Sequence, residues 1–164
     1  MDAIRATASF MKTHDLVLTT AESCTAGLIA STLAELPGAG SLLDSAFVVY
    51  SPDAKQRCLG VRAETIERHN LTSEPVAREM ALGALAATRA NVAIANTGVT
   101  DDTDPRIPAG TQCFAWAFRK RDGSIALRSE THVFEGSRNE IREASVELAL
   151  RRLPELYRQA GAGD

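Results

Sequence analysis

The 164-residue chain has no apolar run long enough to span a bilayer, and its N-terminus, Met1 to Lys12, has no apolar signal core. No membrane segment and no signal peptide are therefore expected, and the compartment expected is the cytoplasm. It has no excess of positive charge: 18 Lys and Arg stand against 21 Asp and Glu, a net charge of -3, which argues against nucleic acid as a partner. Cysteines number only three, Cys24, Cys58 and Cys113, an odd count without metal-type spacing. Free thiols in a reducing compartment follow from that. His14, His69 and His132 are scattered, so neither a metal site nor a metal cofactor is expected. Internal repeats, low-complexity tracts and linkers are missing as well. What remains is one domain over residues 1–164, with 45% hydrophobic and 24% charged residues, enough for a substantial core.

Periodicity and turn residues order that domain. Ala3 to Lys12 carries Ile4, Ala8 and Met11 at helical spacing, and Leu16 to Thr20 reads as a strand. A small-residue helix is expected from about Thr25 to Leu36, ended by Pro37-Gly38-Ala39-Gly40. Ser45 to Tyr50 is a second strand. Ser51-Pro52-Asp53 then opens a helix that should stop at Gly60. Further helices are expected over Ala63 to His69 and from Thr72-Ser73-Glu74-Pro75 through Arg89. The small residues of Ala90 to Thr97 suit a strand buried on both faces. An acidic loop, Val99 to Ala109, follows, and then Gly110 to Lys120 and Ser124 to Phe134 pair as a hairpin around Arg121-Asp122-Gly123. Ser137 and Glu140 form a capping box for a last helix running up to Pro154, and the tail from Gly161 is expected to fray. Alternation followed by a hairpin predicts an α/β fold. The expected form is a three-layer α/β/α sandwich with a mixed, partly parallel sheet and an antiparallel hairpin.

Chemistry gathers where the first strand meets its helix. Thr19, Thr20, Ser23 and Thr25 surround Glu22 and Cys24 at a junction that exposes backbone N–H groups. One of the hydroxyls is expected to cap the helix. Ser23 or Cys24 could attack a carbonyl there, with N–H groups around Cys24 and Thr25 receiving the oxyanion. In an open α/β sheet ligands bind beyond the carboxyl ends of strands, which adds Tyr50 to Lys55 and Thr97-Gly98 to the same region. Lys55 could serve as base if burial lowers its pKa, Tyr50 could relay or orient the proton, and Gly98 lets backbone approach a ligand. Arg138 and Arg142, one turn apart, could grip a phosphate, while Arg142 could equally pair with Glu143, Glu147 or solvent. Asp101, Asp102 and Asp104 match no calcium loop.

Several stretches together resemble one family. They are Ala21-Glu22-Ser23-Cys24-Thr25-Ala26-Gly27, Phe47 to Lys55 with its Tyr-Ser and Lys, Leu59-Gly60-Val61, and Gly-x-Arg-x-x-Ile-Arg from Gly136 to Arg142. The chain is similar over nearly its whole length to the CinA C-terminal domain family, in its stand-alone form. That resemblance implies a nicotinamide-nucleotide amidase that acts without metal or other cofactor and frees ammonia from nicotinamide mononucleotide, a small nucleotide substrate. It implies Ser23 as nucleophile, Tyr50 and Lys55 as its activators, and Arg138 as the phosphate ligand. Substrate contacts are expected from Cys24, Thr25, Gly98, Arg138 and Arg142, and an assembly of identical subunits is expected. Ala26 stands where the family pattern has glycine. The loop Val99 to Ala109 has aspartates in place of the family's glycines, and Ile107 in place of its lysine. A second reading follows from that loop: a catalytically silent relative that binds a nucleotide or a protein partner in the same cleft.

Overall fold

A computed structural model describes residues 1–163. Five strands form one open sheet in the order β2-β1-β3-β4-β5. They are β1 (Leu18–Glu22), β2 (Leu43–Val48), β3 (Val92–Gly98), β4 (Thr111–Arg119) and β5 (Ile125–Val133). β1 pairs in parallel with both β2 and β3, whereas β3, β4 and β5 run antiparallel in turn. The mixed sheet with its hairpin is the α/β architecture expected from the sequence.

Three helices cover each face. α1 (Asp2–Thr13), α2 (Leu28–Ala34) and α6 (Arg138–Gln159) lie over one; α3 (Pro52–Leu59), α4 (Ala63–His69) and α5 (Glu74–Ala86) over the other. β4 shows why the two faces differ. Phe114, Trp116 and Phe118 point into the core with α1 and α6, and Cys113, Ala115 and Ala117 point to α5, the period of two read from the sequence. Ile94 continues the bulky side on β3, and Ala93 and Ala95 the small one. The small side lets α5 lie close to the sheet. Gly83 of α5 meets the end of α3 so tightly that a Cβ there would fall 2.0 Å from the Leu59 carbonyl oxygen. On the bulky side the Trp116 indole N–H is not left unpaired; it donates to the Ala149 carbonyl at 2.9 Å.

Caps set most of the ends. Ser51 and Ser73 accept N–H groups at the starts of α3 and α5, Gly60 ends α3 in the left-handed region, and Ser137 with Glu140 completes the capping box of α6. Some boundaries differ from expectation. α6 passes through Pro154 and ends at Gln159. Ala162 is buried and its N–H donates to the Tyr157 carbonyl, so the described part of the tail is packed rather than frayed. Asp164 lies outside the described residues. The largest departure is at α2, which begins at Leu28 because Ala26 and Gly27 before it take positive φ values of 48° and 94°. The parallel strands bring the ends of β2, β1 and β3 side by side, with the connections after β1 and β2 on opposite faces. Such an arrangement opens a crevice at those strand ends.

Candidate active site

Glu22, the last residue of β1, organises the junction that follows. It is completely buried, and its carboxylate accepts hydrogen bonds from five donors. Two are the hydroxyls of Thr20 and Thr25, at 2.8 and 2.7 Å. Three are the backbone N–H groups of Gly27, Ile29 and Ala30, at 3.2, 2.9 and 3.2 Å. A carboxylate at the positive end of α2 thus does what a serine or threonine was expected to do. Gly27, at the N-cap position, has no side-chain bond to offer. Thr19 is likewise occupied, by Ser45 at 2.9 Å.

That leaves Ser23 for a different partner. Its N–H donates to the Asn96 carbonyl of β3 at 3.0 Å, and its Oγ sits 2.9 Å from Lys55 Nζ. Lys55 lies in the first turn of α3, and its side chain is 1% exposed. Two carbonyl oxygens hold the same nitrogen, Val49 at 2.8 Å and Tyr50 at 3.1 Å. Burial disfavours the ammonium and lowers the Lys55 pKa to about 8. A lysine that ordinarily sits in solvent is here a buried amine of lowered pKa in contact with a serine hydroxyl.

Tyr50 departs from its expected part. Its side chain is largely exposed, and its hydroxyl accepts from Arg138 Nη2 at 3.0 Å; no hydrogen bond joins that hydroxyl to Ser23 or Lys55. It is the Tyr50 backbone that touches Lys55. Arg142 also differs from the phosphate ligand expected and from the pairing with Glu143 or Glu147. Its Nε and Nη2 donate to the carbonyls of Cys24 and Thr25 at 3.0 and 3.3 Å, and its Nη1 to Asn139 at 3.2 Å. The guanidinium clamps the turn that carries Ser23. Arg138 does reach the crevice, where it donates to Thr100 Oγ1 at 2.7 Å and Asp101 Oδ2 at 3.1 Å.

Of the two N–H groups expected as oxyanion donors, that of Thr25 is already taken by Asn96 Oδ1 at 3.1 Å. The Cys24 N–H has no acceptor among the described residues. Burial pushes the Cys24 thiol up, against the Gln112 hydrogen bond and the charges of Arg138 and Arg142, which disfavours its thiolate, and its side-chain contact is an amide rather than the amine that Ser23 meets. Gly98 is small for a reason other than ligand approach. A Cβ there would lie 2.2 Å from Gln112 Oε1.

Asn96 and Gln112, with Glu22, are the side chains that sequence reasoning passed over. Asn96 Nδ2 donates to Gln112 Oε1 at 2.9 Å, and Gln112 Nε2 donates to the Val99 carbonyl at 3.1 Å and the Cys24 thiol at 3.4 Å. The chain ties β3, β4 and the Ser23 turn together. Its signal in the sequence was a single amide in each of two largely apolar strands, since a buried polar group requires a partner.

A cleft of about 160 Å³ opens beside this turn, lined by Cys24, Tyr50, Gly98, Thr100, Asp101 and Arg138 among others. A roomier hollow of about 550 Å³ between α1, α2 and α6 holds none of the expected site residues. The acidic loop borders the cleft. Asp104 is held well below the usual carboxylate range by hydrogen bonds from Arg106, with Asn70 adding another at 2.9 Å.

The family model described as the CinA C-terminal domain matches residues 2–157. A CinA-like protein of Chlorobium limicola is 40% identical over 84% of this chain, which spans 33% of that protein. The nicotinamide-nucleotide amidohydrolase PncC of Escherichia coli K12 is 37% identical over 91% of this chain and 89% of its own length. This chain therefore spans about a third of the longer CinA-like relative and most of the shorter enzyme. Among solved structures, the competence damage-inducible protein A of Klebsiella pneumoniae superimposes with a TM-score of 0.86 at 34% identity, covering 94% of both chains. One from Agrobacterium tumefaciens, titled competence/damage inducible protein CihA, gives 0.84 at 36% identity, covering 94% of this chain and 93% of that one.

Proposed function

This chain belongs to the CinA C-terminal domain family, and we propose that it is an amidohydrolase that splits the carboxamide of nicotinamide mononucleotide or a close relative into carboxylate and ammonia. The observation that carries the reading is the Ser23–Lys55 contact, 2.9 Å between a hydroxyl and a buried amine whose pKa lies at about 8. When Lys55 is neutral, the Val49 and Tyr50 carbonyls hold its two N–H hydrogens, which turns its lone pair toward Ser23 Oγ. Lys55 then takes the Ser23 proton as Oγ attacks the amide carbon, and returns it to the departing nitrogen as ammonia leaves. Water, deprotonated by the same lysine, attacks the resulting ester, and the proton goes back to Ser23. The Cys24 N–H is the donor for the oxyanion. Tyr50 and Arg138 face the other end of the substrate in this scheme, and the small nucleotide is the partner of the cleft.

The test is ammonia release from nicotinamide mononucleotide by the wild type, Ser23→Ala and Lys55→Ala, each checked for fold by circular dichroism. Both variants should lose turnover; undiminished turnover in both would overturn the reading. Since the neutral amine is the base, kcat/KM should rise with pH and level off above about 8. A rate already flat from pH 6 to 9 would remove Lys55 from that role. The loop Val99 to Ala109 keeps the silent-binder reading in view because Asp101 occupies the arginine meant for a phosphate. Calorimetric binding of the mononucleotide without any ammonia would favour it.

A further inference from the structure

We propose that Asp101 is an internal competitor for the anionic group of the substrate: it occupies Arg138 and thereby sets how strongly the cleft favours phosphorylated over unphosphorylated carboxamides. The kinetic side of this inference rests on the amidohydrolase reading above; the binding side does not.

Three of the five N–H donors of Arg138 are engaged within the protein. Nη1 donates to Thr100 Oγ1 and to Asp101 Oδ2, and Nη2 to the Tyr50 hydroxyl. All four residues line the cleft beside Ser23's turn, so the guanidinium that would meet a phosphate is already neutralised where the phosphate must sit. Asp101 holds it through one oxygen only, and that same oxygen accepts the Thr100 hydroxyl at 3.2 Å. A planar guanidinium can offer two parallel N–H groups to a phosphate, whose charge is also the greater. The ion pair is open to water, with the Arg138 and Asp101 side chains 51% and 65% exposed. Pairs of that kind are weak, so a dianion can displace the carboxylate, yet each binding event must first undo it. A substrate without phosphate leaves the pair in place and escapes the cost. The penalty therefore falls on the KM of anionic substrates alone.

Asp102 supplies the control. It is the neighbouring residue, exposed, with the same charge and no hydrogen bond to Arg138. The experiment compares wild type, Asp101→Ala, Asp101→Asn and Asp102→Asn. Steady-state kinetics use nicotinamide mononucleotide and its dephosphorylated nucleoside, and calorimetric titrations at fixed ionic strength use inorganic phosphate. Asp101→Ala should lower the KM for the mononucleotide about two- to fivefold relative to the nucleoside, and strengthen phosphate binding by a similar factor. Asp102→Asn should change both far less. Equal shifts in the two variants would reduce the effect to net charge and overturn the proposal, as would no shift in either, or no phosphate binding by Asp101→Ala. If the wild type turns over neither substrate, the amidohydrolase reading fails, and the phosphate titration decides Asp101 alone.

Discussion

The turn from Ser23 to Gly27 and the loop from Val99 to Ala109 border the same cleft and are built on opposite terms. The turn buries Ser23, Cys24 and Thr25 and is held by Glu22 below, Asn96 from β3, Lys55 from α3 and Arg142 from α6. The loop is largely exposed, and its charged side chains are tied by ion pairs in water, Asp101 to Arg138 and Arg106 to Asp104. Buried hydrogen bonds to a charge fix a geometry, whereas solvated ion pairs contribute little and are readily exchanged. Reacting atoms need fixed positions, so the turn suits the nucleophile proposed for it. On that proposal the loop is where a relative can change what it accepts while Ser23 and Lys55 stay put.

Changes at Ser23 or Lys55 should show this contrast most strongly. Ser23→Ala is expected to lower kcat by about 10³-fold or more, the scale of losing a nucleophile. Lys55→Met should do the same with at most a modest fall in the thermal midpoint, because an apolar chain of about equal volume fills the site but leaves the Val49 and Tyr50 carbonyls without their donor; a loss of turnover explained by unfolding would contradict it. Next comes Glu22→Ala. Orphaning five buried donors should cost about 3 kcal/mol or more, read by urea denaturation. The same measurement on Asp101→Ala should show a loss several times smaller, and equal losses would break the comparison. Smallest is Ala26→Gly. Ala26 takes φ 48°, a left-handed conformation that costs an L-residue about 1–2 kcal/mol. Glycine relieves that strain but loses more freedom on folding, so a net gain of about 1 kcal/mol or less is expected. A clear loss would mean that the turn tolerates Ala26 without strain.

How much could be read without coordinates differs between these regions too. The strands were legible where alternation was clean, as in Phe114, Trp116 and Phe118 against Cys113, Ala115 and Ala117. The helix starts at Ser51, Ser73 and Ser137 were legible because capping is local chemistry. The start of α2 was not. Hydroxyl-rich sequence suggested a serine or threonine cap, but a buried glutamate reaches forward to Gly27, Ile29 and Ala30 and moves the start to Leu28. The arginines show the same limit. Arg138 and Arg142 look alike on paper, one turn apart on α6. Which one reaches the cleft and which clamps the Ser23 turn depends on where the helix lies against the sheet.

The order of elements, the two unlike faces of the sheet, and the three strand ends at which side chains could gather can all be read from the residues alone. Periodicity and capping decide these over a few residues. Packing between distant elements is what buries Lys55 against Ser23 and so lowers its pKa, turns the Tyr50 hydroxyl to Arg138, and brings Asp101 to the same arginine. A pKa and an ion pair depend on which distant groups share a few ångströms and how much water stays between them, and that is settled by packing.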